Sequence, residues 1–305
     1  MLIIGASGLT GFKLAQFTIN DYRVYGTYNH RVVHLNQCDF FQLDKTDKER
    51  TETLIKNLQP DVVVDCSALH NVDYCETHND ESLIINTEST KNIAIVCKQI
   101  NAKMIFISTD YVYDGIAKSY TEESPTNPLN YYGLCKLKAE EEIIKTGANF
   151  AIGRTSLVFG WNPSELQGIK SSSGKTMNFV IWALNKLRNN EAIKIVTDQY
   201  STPTFADNLA EYMIALAKSD KTGIFHTVGN ECINRYDFTL KIAEIFDLNP
   251  DLISPVSSDS FKQIAKRPMR CCLNSTKAQK MLNVKALNIT QALTKMRNQE
   301  ELNPI

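Results

Sequence analysis

The sequence predicts an α/β protein: a doubly wound parallel sheet accompanied by a smaller α/β unit. Three observations carry that prediction. Short apolar runs alternate with helical patterns through the first half of the 305 residues. The run Asp61-Val62-Val63-Val64-Asp65 is β-branched and does not alternate, as expected of a parallel strand covered on both faces. A glycine-containing turn, Gly5-Ala6-Ser7-Gly8-Leu9-Thr10-Gly11, joins the first apolar run to the first helical one.

The elements follow in order. Leu2–Ile4 is a short strand, and Leu9–Ile19 a helix with Phe12, Ala15 and Ile19 on one face. Tyr22–Tyr28 is a strand, and Thr46–Asn57 a polar helix closed by Pro60. After the valine run come a helix at Ser82–Gln99, a buried strand at Met104–Ser108, a helix at Tyr131–Lys145 and a strand at Phe150–Arg154. The second half predicts helices at Met177–Arg188, Ala206–Ala217, Tyr236–Phe246 and Thr276–Leu282, with strands at Ile193–Val196 and Gly223–Val228. Trp161–Lys175, rich in Gly and Ser, reads as a mobile loop. The expected division assigns residues 1–157 and 197–229 to a dinucleotide-binding unit, and residues 158–196 and 230–305 to a substrate unit.

Composition removes several classes. With 43% hydrophobic and 22% charged residues the chain is too apolar to be disordered. With 33 basic and 34 acidic residues it has no excess charge to hold nucleic acid, so a phosphate must be bound by a few local groups. No apolar run reaches the ~18–20 residues of a membrane span, and Met-Leu-Ile-Ile-Gly does not read as a signal peptide. The eight cysteines include no CxxC pair and no zinc pattern, so reduced thiols in a cytoplasmic protein are expected. Neighbouring Cys271 and Cys272 cannot readily bond each other.

Ligands of doubly wound sheets sit at the carboxyl ends of the strands. At the first such end, Gly5, Ser7, Gly8, Leu9, Thr10 and Gly11 form a turn whose backbone can approach a pyrophosphate, with a helix N-terminus aimed at the anion. The spacing is GxxGxxG rather than GxGxxG, and a tight turn is the plain alternative. The second strand runs into Tyr28-Asn29-His30-Arg31 without the acid that usually holds the ribose hydroxyls of NAD. Arg31 is therefore a candidate for a 2′-phosphate, which favours NADPH over NADH, against the alternative of a solvated loop arginine. Asp44 and Lys45 fall where an adenine edge is bound, with helix capping as the plain role for Asp44.

Tyr132 and Lys136 lie four residues apart on one helix face. A phenol, pKa about 10, is a poor acid–base group at neutral pH unless an ammonium stabilises its phenolate. Thr109, at the end of the Met104–Ser108 strand, can hydrogen-bond the same substrate oxygen. A Tyr-x-x-x-Lys pair alone is weak evidence, since surface pairs at this spacing arise by chance. Its place after a strand-terminal Ser-Thr, downstream of a glycine turn, makes the combination specific.

With those features in place, the chain resembles the extended short-chain dehydrogenase/reductase family, and within it the dTDP-4-dehydrorhamnose reductase branch, over nearly its whole length. Ser108-Thr109-Asp110-Tyr111-Val112-Tyr113 is similar to the branch's STDYVF segment, and Pro128–Gly133 with Lys136 to its PLNxYGxxK. Val72–Glu76 is similar to VDxxE, Asp198–Thr204 to DQxxxPT, and Arg267-Pro268 with Leu273-Asn274 to a C-terminal RPxxSxLD. The resemblance implies a Rossmann-type cofactor domain, with Tyr132 as proton donor and Lys136 as its activator and ribose ligand. It also implies that Thr109 and Asp110 contact the sugar, and that Ala68, Leu69 and His70 line the nicotinamide. Arg267 becomes a candidate for the substrate diphosphate, with a surface salt bridge as its alternative.

The chain departs from the branch at informative places. Leu157 stands where bacterial members carry a Trp against the sugar ring, and Trp161 is read as a core anchor rather than its replacement. Lys13 replaces a glutamate used by members with a magnesium-linked dimer, so no metal is expected. The implied reaction is reduction of the C4 keto group of a nucleotide-linked 4-keto-6-deoxy sugar, with NADPH as reductant and a homodimer possible. The alternatives are an epimerase, or a binding subunit similar to the β subunit of methionine adenosyltransferase.

Overall fold

The computed structural model describes residues 1–161, 166 and 178–302. The predicted Trp161–Lys175 loop and the expected helix start at Met177 fall almost wholly outside the described residues. The chain begins β1 (Leu2–Ile4), α1 (Leu9–Thr18), β2 (Val24–Tyr28), β3 (Cys38–Gln42), α2 (Lys48–Leu58) and β4 (Val62–Asp65). It continues with α3 (Val72–Thr77), α4 (Asn79–Leu83), a π-helical turn at Ile84–Glu88, α5 (Ser89–Gln99), β5 (Lys103–Thr109), α6 (Tyr131–Thr146), β6 (Phe150–Thr155) and β7 (Val158–Phe159). Then follow α7 (Phe179–Arg188), β8 (Ile193–Val196), β9 (Tyr200–Ser201), β10 (Thr204–Phe205), α8 (Ala206–Lys218), β11 (Gly223–His226), β12 (Ile233–Asn234), α9 (Arg235–Ile245), β13 (Ile253–Val256), β14 (Arg270–Cys271), α10 (Thr276–Leu282) and α11 (Ile289–Leu302).

Seven parallel strands form the central sheet in the order β11-β6-β5-β4-β1-β2-β3. The two faces explain the unalternating valines of β4. Val62 and Val64, with Ile3 and Ile105, pack under α1, α8 and α10, whereas Val63, with Leu2, Ile4, Met104 and Phe106, packs under α2, α5 and α6. Both sides are apolar because both sides are covered. A second core gathers Phe159, Phe205 and the apolar faces of α7, α9 and α11. Trp161, 2% exposed, belongs to it, as expected of an anchor.

Three small sheets complete the architecture: β10 with β7, β13 with β8, and β12-β9-β14. These two- and four-residue strands lack a readable period, and most of them escape sequence prediction. Strand β3 escaped it too, because this sheet edge is partly exposed along its whole length and carries no alternating pattern. The expected Ser82–Gln99 helix starts at Asn79 and contains the π-helical turn.

One expectation is corrected. Cys232 and Cys272 form a disulfide with Cα atoms 5.4 Å apart, while the other six cysteines are free thiols. Cys232 directly precedes β12 and Cys272 directly follows β14, so the bridge joins the two outer strands of the three-stranded sheet. Fold geometry, not sequence spacing, brings them together. Cys271 and Cys272 do not bond each other, as expected.

Candidate active site

The predicted residues lie at or follow the carboxyl ends of strands β1 to β6 of one parallel sheet, with Tyr132 and Lys136 on α6; Arg267 alone lies elsewhere, before β14. At β1, Gly5 has φ +82°, and a Cβ there would lie 2.8 Å from that of Ser67. A Cβ on Gly11 would lie 2.4 Å from the Gly5 carbonyl oxygen, so these two positions need glycine for close packing. Gly8 differs: a Cβ there would meet only the Gly5 carbonyl oxygen, at 3.5 Å. Gly8 is the N-cap of α1, and no side chain caps that helix. Its first N–H groups, at Leu9, Thr10 and Gly11, therefore lack a side-chain cap at a positive dipole end, an arrangement that fits a pyrophosphate. Ser7 lies half-buried in the same turn.

On the adenosine side, Arg31 is half-buried, and its guanidinium is partly stripped of water. Asp44 is exposed and accepts from the Thr46 backbone N–H and hydroxyl at 2.9 and 2.8 Å, closing a local turn. It does not cap α2; Asp47 does, by accepting from Arg50 N–H. Lys45 turns inward, 6% exposed, and its ammonium lies 3.1 Å from Asp65. Ala68 is half-buried, Leu69 buried and His70 exposed. Asn86, in the π-helical turn, hydrogen-bonds the backbone of Leu69 and so holds this loop.

The reactive centre sits at β5 and α6. Asn130 caps α6 by accepting from Gly133 N–H at 2.9 Å, and its amide donates to the Lys266 carbonyl at 2.9 Å. Gly133 lets the Tyr111 carbonyl reach the first turn of the helix; a Cβ there would lie 2.2 Å from that oxygen. The same turn presents Tyr132, whose ring meets Tyr111 edge-on at 6.2 Å. One turn on, Lys136 is 2% exposed, donates to the Ile107 carbonyl at 2.7 Å and lies 3.8 Å from the centre of the Phe106 ring.

Burial dominates the electrostatics. It raises the Tyr132 phenol, with Asp110 adding to the effect and Thr109 opposing it. Burial lowers Lys136 to about 7, against the attraction of Asp65. Thr109, 7% exposed, donates to Asp110 at 3.1 Å, and Ser156 donates to the other Asp110 oxygen at 2.6 Å. Burial pushes Asp110 up to about 6 despite these bonds. Tyr132, Thr109 and Asp110 thus share one environment, as the sequence predicts. Leu157 lies just beyond β6 with φ +40° and packs against the second core.

The arginines rearrange the sequence reading. Arg267 is in an ion pair, the alternative the sequence offered: it lies 3.0 Å from Asp73, is 13% exposed against 39% for its partner, and donates to the Ala265 carbonyl at 2.9 Å. Arg235 is the residue the sequence reading missed. It is the first residue of α9, where a cation opposes the helix dipole. It lies 5.1 Å from the Phe179 ring, and burial lowers its guanidinium while Tyr111 and Asp110 attract it and Arg267 repels it. Among the described residues no carboxylate lies within 4 Å of it. A largely desolvated cation with no ion pair among the described residues has the chemistry to attract an anionic group.

Among the described residues no group of His, Cys, Asp and Glu is arranged to hold a metal ion. Lys13 instead pairs with Asp207 at 3.2 Å, tying α1 to α8.

This geometry agrees with the comparisons. A family model described as the RmlD substrate binding domain matches residues 1–302. The chain belongs to this family. It is similar to a dTDP-4-dehydrorhamnose reductase of Aggregatibacter actinomycetemcomitans, 28% identical over 309 residues that cover 97% of this chain and 98% of the relative. It is also similar to methionine adenosyltransferase 2 subunit beta of Bos taurus, 30% identical over 280 residues that cover 91% of this chain and 80% of the relative. In fold it matches the crystal structure of a dTDP-4-dehydrorhamnose reductase from Bacillus anthracis in complex with NADP. That structure has a TM-score of 0.85 at 23% identity and covers 98% of each chain. A protein named a reductase and one named a subunit are thus comparably similar to this chain.

Proposed function

We propose that this RmlD-family protein reduces the C4 keto group of a nucleotide-linked 4-keto-6-deoxy sugar, most simply dTDP-4-dehydrorhamnose to dTDP-L-rhamnose, with NADPH. The observation that carries the reading is that Tyr132 lies by Thr109 at the end of β5, with Lys136 one turn on along α6 against the same strand, in the sheet whose first strand leads to the uncapped N-terminus of α1. In this reading residues 1–157 with 197–229 hold the cofactor, and residues 158–196 with 230–305 hold the nucleotide sugar.

Gly8, Leu9 and Thr10 would hold the pyrophosphate through backbone N–H groups, Arg31 the 2′-phosphate, and Ala68, Leu69 and His70 the nicotinamide face. NADPH supplies the hydride when bound. Tyr132, kept protonated by burial, donates its proton to the carbonyl oxygen as that oxygen becomes an alkoxide. Thr109 donates a hydrogen bond to the same oxygen, and Lys136 stabilises the phenolate left behind. Asp110 orients a sugar hydroxyl, and Arg235 meets the anionic diphosphate in place of Arg267, which Asp73 already neutralises. Holding the reactants in line supplies a further part of the rate. Leu157 offers an aliphatic wall where the bacterial branch has an aromatic one.

Similarity to a methionine adenosyltransferase subunit supports a second reading, an NADP-binding partner without turnover. One experiment separates the two. Purified protein is given dTDP-4-keto-6-deoxy-L-mannose, and the UDP analogue in parallel, while NADPH absorbance is followed. The reductase reading expects oxidation of NADPH that Tyr132→Phe reduces at least ~10²-fold with NADPH binding retained. Tight NADPH binding with no oxidation in either assay sinks it in favour of the subunit reading, and full activity in Tyr132→Phe sinks the assigned proton donor.

A further inference from the structure

Lys45 carries the strongest additional inference. Its ammonium donates to Asp65 Oδ2 at 3.1 Å and to the Ser67 carbonyl at 3.0 Å. Asp65, the last residue of β4, also accepts from the Ser67 N–H and hydroxyl at 3.0 and 2.6 Å and from the Thr90 hydroxyl at 3.1 Å. The carboxylate is fully enclosed, and Lys45 is 6% exposed. Register then places this knot beside Lys136. Asp65 pairs with Phe106 across β4 and β5, and the Lys136 ammonium rests on the Phe106 ring and bonds the next carbonyl, Ile107.

A buried ion pair is a weak stabilising device, because desolvation consumes most of the attraction. Its location asks for another role. Without Lys45, a buried carboxylate would stand next to the ammonium that serves Tyr132, and would capture it. We infer that Lys45 is a positioning residue: by neutralising Asp65 and pinning its oxygens, it leaves the Lys136 ammonium available to the phenol of Tyr132. The inference rests on the Tyr132–Lys136 reading above. The charges around Lys136 agree with it. Asp65, Glu140 and Cys66 act to hold its proton, and the Lys45 cation acts against them.

The test uses opposite signs. The alkaline limb of kcat/KM for the keto-sugar reduction is measured against pH, together with a ¹⁵N-lysine NMR titration of Lys136 in the ligand-free protein. Lys45→Met exposes Lys136 to the full Asp65 charge, so both midpoints move up by about one pH unit. Asp65→Asn removes that charge, so both move down by a similar amount. Midpoints that stay put, or that shift the same way in both variants, overturn the inference. If either single variant fails to fold, Lys45→Arg and Lys45→Met/Asp65→Asn carry the test. The arginine variant keeps the midpoint, and the double variant lowers it, because Asp65 is the larger of the two influences. An unmoved midpoint in the double variant overturns the inference equally. Full activity in Tyr132→Phe would instead remove the reading on which it rests.

Discussion

Asn86 holds Leu69 by both backbone groups: its Oδ1 accepts from the Leu69 N–H at 2.9 Å, and its Nδ2 donates to the Leu69 carbonyl at 3.0 Å. The π-helical turn at Ile84–Glu88 presents this amide to the loop after β4, which is the wall assigned to the nicotinamide. Asn86→Ala leaves the buried Leu69 N–H without a partner and its carbonyl with only the Cys75 thiol at 3.3 Å, a loss of about 1–3 kcal/mol in stability. Isothermal titration should show NADPH binding weakened by about tenfold, since the loop then has to be ordered by the ligand. Unchanged affinity would separate the clasp from the cofactor.

Arg235 and Arg267 should respond differently. Arg235→Met removes the cation assigned to the substrate diphosphate, so KM for the nucleotide sugar rises at least about tenfold while the Kd for NADPH stays. Arg267→Met removes the ion pair with Asp73, which keeps its bond from the Ala265 N–H, and its effect falls first, and modestly, on thermal stability. Steady-state kinetics with a melting curve for each variant reads both outcomes. A larger KM effect at Arg267 would return the anion-binding role to it.

His226 predicts an acid limit to stability. It is fully buried, its Nδ1 faces the Asn274 carbonyl at 3.2 Å, and its Nε2 faces the Tyr113 hydroxyl at 2.8 Å. A carbonyl only accepts, so Nδ1 carries the proton, while the single Tyr113 hydroxyl proton serves either Nε2 or the Thr121 carbonyl, 3.0 Å away. Burial, with Arg154 close by, lowers His226 from 6.5 to about 3. The unfolded chain therefore binds the extra proton first, and the stability contributed by neutral His226 is complete above pH 6.5 and is lost as pH falls toward 3. Asp110, raised by burial, acts in the opposite sense between about 4 and 6 and offsets part of the loss. Urea midpoints at pH 7.5 and 5.0 should fall with acid in the wild type and fall less in His226→Gln. Parallel curves would refute the assignment.

Gly133→Ala is expected to be among the most damaging single-methyl changes. The added carbon meets a backbone carbonyl, which cannot swing aside as a side chain can. Overpacking of this kind costs about 1–3 kcal/mol, and relief by a shift of the first turn of α6 would carry Tyr132 with it. Gly147→Ala, at the left-handed end of the same helix, costs about 1 kcal/mol and leaves kcat intact. Melting temperatures and kcat of the two variants make the comparison.

The parts legible in the sequence are those whose meaning is local. The glycine turn, the valine run and the Tyr132–Lys136 spacing each declare themselves within a few residues, and the main sheet follows from their alternation. The remainder depends on partners far along the chain. Lys45 reads as a residue at the adenine edge until strand order brings Asp65 to its ammonium. Arg235 reads as an ordinary helix start until α9 is seen to point it at Asp110 and Tyr111. Asn86 hides inside a helical pattern because a π-helical turn leaves no mark on the apolar period. Arg267 was found, but Asp73, 194 positions earlier in a different motif, was not recognised as its counter-charge.

The Cys232–Cys272 bridge closes a loop of about 40 residues that contains both arginines and the strands between them. A cross-link of that span lowers the conformational entropy of the unfolded chain by an amount worth about 4 kcal/mol on the chain-entropy model. The gain belongs to one stretch of chain rather than to the whole protein. The segment that carries Arg235 and Arg267 thus has a covalent tether of its own, and reduction of that one bond returns the lost freedom to the unfolded form of this segment.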